Sequence, residues 1–243
     1  MKVDTECVSV SDKVYNLSQA IMLYRENQSL VFASIHNIDV VNGTPVVKPG
    51  APVSKIALFE IMRALAPDEY MPEELLGSHI LARGNRHMVW FSKPQKRQLW
   101  FNSKEVGGDV TAKTANPGLV FMVSENSWFV FAIKGNGRPD ADTPLYVAPY
   151  LNVWEGGKIC SGNIDIPKGS KRFDSVAWEE CFFRSYFTHT NIHEKSKQTK
   201  FKGGIYALWR SLLKGNPFPS DALVPAGMTL GQAYEKVVRH GSA

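Results

Sequence analysis

No apolar run in the 243 residues approaches the roughly 18 to 20 needed to span a bilayer. The opening MKVDTECVSVSDKV also lacks the apolar segment of a secretory signal, so the expected location is cytoplasmic. Cysteine is scarce: Cys7, Cys160 and Cys181 are an odd set with no Cys-x-x-Cys pair. That argues against a disulfide framework and a structural zinc ribbon, and leaves reactivity as the reason for any special cysteine. Internal repeats, low-complexity tracts and long charge blocks are absent too. The length therefore suggests one large unit, or a core with an appended module.

What is there reads as an ordinary packed protein, with 44% hydrophobic and 21% charged residues. The net charge of +5 and pI near 9.0 favour acidic partners by long-range attraction but do not require nucleic acid.

Along the chain, AIMLY and SLVFASI flank Arg25–Gln28 and suit a hairpin, with a second turn at Asn42–Gly43. From Ser54 to Ala66, residues Ile56, Phe59, Ile61 or Met62, and Leu65 fall near helical spacing, with Ser54 as N-cap and Pro67 as stop. Two prolines and a group of acids over 67–78 mark a module boundary. From His79 to Ile133 the pattern is that of an antiparallel meander, with turns at Lys93–Lys96 and Glu125–Asn126. A proline-rich, loop-like crossing leads to Cys160. A helix capped by Asp174 or Ser175, with Glu179 and Glu180 in its first turn to complement its dipole, is expected to run to about Thr190. Ile205, Leu208, Trp209 and Leu212 mark another helix, ended by Gly215 and Pro217. A last helix starts at Thr229 with Gln232 completing a capping box. Sheet first and helices last is an α+β order. The expected modules are 1–78 (hairpins and a helix), a core at 79–215, and a tail with a short helix at 216–243.

The segment Asn152-Val-Trp-Glu-Gly-Gly-Lys-Ile-Cys160 carries the chemistry. A cysteine thiolate is a strong nucleophile, and a position after Gly-Gly between Lys158 and Lys168 favours partial exposure and a stabilised thiolate. The bland alternative is an inert buried thiol, common for free cysteine. Asn152, by itself, is an ordinary turn residue. Cys181 sits among Phe182, Phe183, Tyr186 and Phe187, which suits core packing. His189 and His193 are four apart and could share a helix face, but no third metal ligand accompanies them, so no metal site is expected. Asp174 reads as a helix cap, and Asp165 as a loop acid able to orient an amine. Gly203–Gly204 is a turn into a helix. RHMVWFSKPQKRQLWF could stack on nucleic acid, but an amphipathic hairpin with a solvated turn explains it better.

The spacing Asn, aliphatic, three variable residues, Gly, one variable, Ile, Cys resembles the active-site segment of ubiquitin-conjugating enzymes. The closer resemblance is to their bacterial branch, prokaryotic family D, also known as protein B of the PRTRC cassette, through PLYVAPYLNVWEGGKICSGNIDIP and the later FKGGIYALW. The resemblance covers 79 to about 215, with the N-terminal module belonging to the same family. It implies a ubiquitin-conjugating-type α+β fold with an N-terminal αβ elaboration. It also implies a transferase that accepts a ubiquitin-like protein as a thioester on Cys160 from a ThiF-like activating enzyme, with a JAB-type metalloprotease in the same pathway. Asn152 would donate to the tetrahedral oxyanion or hold the loop, Gly157 would allow the tight turn, and Asp165 would face the incoming amine. No cofactor is implied, because ATP is consumed upstream.

The family's usual His-Pro before the Asn is replaced by Tyr150-Leu151, where the tyrosine hydroxyl could take over a structural role. Thioester formation is thus better supported than amine transfer. Two other readings stay open: a catalytically idle scaffold that binds a ubiquitin-like protein, and a nucleic-acid-associated plasmid-maintenance factor.

Overall fold

The computed structural model describes residues 17–66, 74–124, 127–162 and 164–239. Cys7 and the Glu125–Asn126 turn lie outside them, as does much of the 67–78 segment. The chain divides into two compact units, Met1–Pro67 and Asp68–Ala243. Among the described residues no helix is long and apolar enough to cross a membrane.

In the first unit, β1 (Gln19–Glu26), β2 (Ser29–Val41), β3 (Thr44–Val47) and β4 (Ala51–Val53) form an antiparallel sheet in which β2 pairs with all three others. The turn at Asn42–Gly43 has φ of 52° and 75°, the left-handed pair that a two-residue hairpin matching the strand twist requires. Helix α1 (Lys55–Leu65) is capped by Ser54, whose hydroxyl accepts from the Ala57 N–H at 3.1 Å. Its apolar residues Ile56, Phe59, Met62 and Leu65 stay exposed.

The second unit is built on a six-stranded antiparallel sheet. Its strands are β5 (Ile80–Gly84), β6 (His87–Ser92), β9 (Gly118–Ser124), β10 (Ser127–Ile133), β11 (Pro144–Val147) and β13 (Pro225–Thr229), in the order β13-β11-β10-β9-β6-β5. The expected continuous meander is interrupted. Strand β6 pairs with β9, while β7 (Gln95–Ser103) and β8 (Gly108–Asn116) leave the sheet as a separate hairpin. Burial explains the division. β6, β9 and β10 are buried along almost their whole length, as strands covered on both faces must be, whereas β7 hides Leu99, Phe101 and Ser103 and exposes alternate neighbours. Pro94 stands between β6 and β7, where a residue without an N–H ends strand pairing. The stretch 87–101 is therefore not one amphipathic hairpin. Trp90, Phe91 and Phe101 are buried and offer no stacking platform to bases.

Alternation along the central strands sends Met88, Trp90, Phe121, Val123, Trp128 and Val130 to one face and Val89, Phe91, Val120, Met122, Phe129 and Phe131 to the other. The first face is covered by α2 (Ser175–Phe183) and α3 (Gly204–Leu213), through Trp178, Phe182, Leu208 and Trp209. The second is covered by α4 (Leu230–Tyr234) and its π-helical continuation to Arg239, through Leu230, Ala233 and Val237. The predicted capping box at Thr229 and Gln232 is present, as is the apolar stripe of α3.

Helix α2 is shorter than its sequence suggests. It starts at the Asp174 cap but ends at Phe183, where the Ser185 hydroxyl donates to the Phe182 carbonyl at 2.7 Å. The next two residues, Tyr186–Phe187, become β12 and pair in parallel with β7 at Trp100–Phe101. Tertiary pairing of two aromatic, β-favouring residues overrides helix continuation here. His189 and His193 consequently share no helix. Glu179 lies beyond the first turn and turns inward: it accepts from the Trp90 indole at 3.1 Å and pairs with Arg97.

Tyr150 is fully buried at the centre of an aromatic cluster with Phe182, Phe187 and Trp209. Its hydroxyl donates to Asn116 Oδ1 at 2.6 Å, and Asn116 is buried as well. Replacing Tyr150 with Phe leaves that acceptor in a dry site without a partner, which costs about 1–3 kcal/mol. Equilibrium urea unfolding of Tyr150→Phe should show this as a lower midpoint at unchanged slope.

Candidate functional site

Residues 152–160 form a miniature hairpin. Val153 and Ile159 face each other across an antiparallel bridge. The Trp154 N–H donates to the Lys158 carbonyl at 2.8 Å, and the Cys160 N–H donates to the Asn152 carbonyl at 2.8 Å. This register explains the eight-residue spacing. Asn152 and Cys160 are a directly opposed pair, so their side chains leave the same face. Val153 and Ile159 leave the other face and are buried, each contributing roughly 1.5–3 kcal/mol through its burial.

The hairpin is docked on β10. The Val130 N–H donates to the Gly157 carbonyl and the Ile159 N–H to the Trp128 carbonyl, each at 2.9 Å. Gly157 makes this approach possible: its φ is +88°, and a Cβ there would lie 2.7 Å from the Phe131 ring and 3.0 Å from the Val130 carbonyl oxygen. Leading into the hairpin, residues 149–151 are held by the Trp209 indole donating to Pro149 O at 2.9 Å and by the Gln198 amide donating to Tyr150 O at 3.1 Å. Burial raises the Tyr150 phenol well above its ordinary pKa, so it is no proton acceptor for the site. It lies behind the site as a structural prop.

In front, Asn152, Cys160 and Asp165 line one groove of about 1030 Å³, a size ordinary for a ligand pocket. Cys160 is half-buried with a free thiol. Asn152 is nearly buried, and its Nδ2 donates to the Ser185 hydroxyl at 3.3 Å. Because that hydroxyl already donates to Phe182 O, it must accept from Asn152, which fixes the amide's orientation. Asn152 Oδ1 is left buried without a protein partner. Asp165 is almost wholly exposed and sits 3.4 Å from Lys168 Nζ.

Three further residues that the sequence did not single out share the groove: Lys171, Ser185 and Arg184. Cys181 lines it as well. It packs against the core as expected, but it is only half-buried and also reaches the groove wall, where its thiol donates to the Asp165 carbonyl at 3.4 Å. Burial, and then the Asp165 and Glu180 carboxylates, raise its pKa. That direction favours the neutral form of the Cys181 thiol. No sequence signal could have found Ser185, because its role depends on where α2 stops. Among the described residues no cluster of three or more His, Cys, Asp or Glu could hold a metal ion.

A family model described as Prokaryotic E2 family D matches residues 57–226, well over half of the chain. Comparison with curated proteins and with solved structures gives no match.

Neighbouring glycines separate strain from contact in this hairpin. Gly156 has φ +87° but open space around its would-be Cβ, unlike Gly157. Alanine at either position incurs the left-handed penalty of about 1–2 kcal/mol. Gly157→Ala should lose about 1–3 kcal/mol more, because it crowds a backbone carbonyl. Equal losses for the two variants in equilibrium unfolding would contradict this docking geometry.

Proposed function

The chain belongs to prokaryotic E2 family D, and on that footing we propose that it carries a ubiquitin-like protein as a thioester on Cys160. Family membership implies a ubiquitin-conjugating-type fold and dealings with a ubiquitin-like protein and an E1-like enzyme. In this reading the donor is a ThiF-like activating enzyme, and a JAB-type metalloprotease acts in the same pathway. The reaction belongs in the cytoplasm, where thiols stay reduced. The observation that carries the reading is the opposed placement of Asn152 and Cys160 on one face of the hairpin, at the wall of a groove.

The chemistry follows from that placement. The Cys160 thiolate attacks the activated carbonyl carbon of the incoming tail and displaces the donor's sulfur. The thioester then hangs in the groove beside the Asn152 amide. When an amine attacks it, negative charge gathers on the carbonyl oxygen. An N–H donor already oriented by Ser185 stabilises that charge without reorganising. Tyr150 does no proton transfer; its hydroxyl and ring hold the segment in place, and Leu151 is likewise fully buried. This offers a structural substitute for the His-Pro pair usual in the wider family.

Mixing the chain with the activating enzyme, ATP and the ubiquitin-like partner should give an adduct that thiol reductant removes and Cys160→Ala abolishes. Asn152→Ala should still load, but should pass its cargo to amines about 10²–10³-fold more slowly, the effect typical of losing one oxyanion donor. Retained binding of the ubiquitin-like protein with no adduct would favour an idle scaffold instead.

A further inference from the structure

A second cavity lies beside the first turn of α2 and shares no lining residue with the Cys160 groove. Its volume is about 340 Å³, at the small end for a ligand site. Leu76, Ile80, Phe173 and Val176 give it an apolar lining, and Arg83, on the edge strand β5, supplies a cation.

Only 4% of the Arg83 side chain is exposed, and a guanidinium carries five N–H donors that a dry site has to satisfy. Among the described residues one of its nitrogens has a hydrogen-bond partner: Nη1 donates to Glu74 Oε1 at 2.8 Å. The Phe173 ring, 5.2 Å from the guanidinium carbon, answers part of the charge but offers no oxygen. Nε and Nη2 are buried without a partner. These two nitrogens share one edge of the planar group and their N–H bonds run side by side, the fork that holds a carboxylate by two parallel hydrogen bonds. Glu74 and Phe173 both line the cavity, so the guanidinium that touches both lies in its wall.

Glu74 is a weak partner for such a cation. Its contact is single-point, its side chain is 55% exposed, and it belongs to the irregular stretch 74–77. Asp174 also lines the cavity, but its carboxylate is taken up by the Val176 N–H at 2.9 Å. His79 is bonded to the Ser175 hydroxyl at 2.9 Å. Neither reaches the fork.

We propose that this cavity is a binding site for an apolar carboxylic acid, for which Glu74 is the internal stand-in. The ligand's carboxylate displaces Glu74 and grips the Arg83 fork with both oxygens, while its hydrocarbon part lies against Leu76, Ile80 and Val176. One hydrogen bond at the surface is exchanged for two in a sheltered site, and apolar area is buried with them. The site does not depend on Cys160 or on the thioester reading.

The isotope-labelled full chain is titrated with isovalerate and with N-acetyl-leucine, the second standing for the end of a polypeptide, and with isovaleramide as the neutral control. Both acids should shift the Arg83 Nε–H resonance and the Val176 amide saturably, and the amide compound should shift neither. Glu74→Ala, which removes the stand-in, should tighten binding about two- to fivefold. Arg83→Lys keeps the charge and loses the fork, and should weaken binding about tenfold or more. Should Arg83→Lys fail to fold, Glu74→Ala still decides, because Glu74 is exposed. Tighter binding of N-acetyl-leucine than of isovalerate assigns the site to a chain end, and no such gain assigns it to a free acid. Shifts that do not saturate, equal shifts with isovaleramide or inorganic phosphate, or an affinity that Glu74→Ala fails to raise overturn the proposal.

Discussion

Everything at the groove depends on two main-chain hydrogen bonds between β10 and the 152–160 hairpin. β10 offers one edge to two clients: β11 takes Phe131 and Ala132, and the hairpin takes Trp128 and Val130. Because the hairpin is an extension of the sheet, Cys160 inherits the rigidity of the protein's most buried strands. Gly157 is the condition for this contact, as no side chain fits between it and Val130. A residue placed by backbone pairing is held more tightly than one placed by a free loop, and sites that must position a nucleophile gain from that.

The same economy appears behind the hairpin. The ring of Tyr150 touches residues of α2, β12 and α3 at once, and its hydroxyl reaches the last residue of β8. One side chain thus joins the β7–β8 excursion to the helical layer. Arg97 and Glu179 repeat the link from β7 to α2. This ion pair is part-buried and hydrogen-bonded by Trp90, and desolvation offsets much of its attraction.

Local chemistry was largely legible in the sequence. Ser54, Asp174 and Thr229 cap the helices they were expected to cap, because capping needs only a side chain and the next few amides. The Asn42–Gly43 turn and the α3 stripe are likewise short-range matters. The larger failures are long-range. Strand β7 was read as part of the meander and β8 was not singled out, because strand propensity says nothing about which edge a strand will join. Helix α2 was read seven residues too far, because Tyr186–Phe187 are claimed by a strand more than eighty positions earlier in the chain.

The site divides along the same line. From the chain alone came the thiol, the asparagine eight residues before it, the glycine between them and the family they resemble, since these lie within nine consecutive residues whose pairing is local. Only the tertiary structure could bring Ser185 to the Asn152 amide and set Cys181 and Lys171 along the groove that Cys160 lines. These residues arrive on α2 and on the turns at either end of it. Where they end up depends on packing against a distant sheet, which no local pattern of residues encodes.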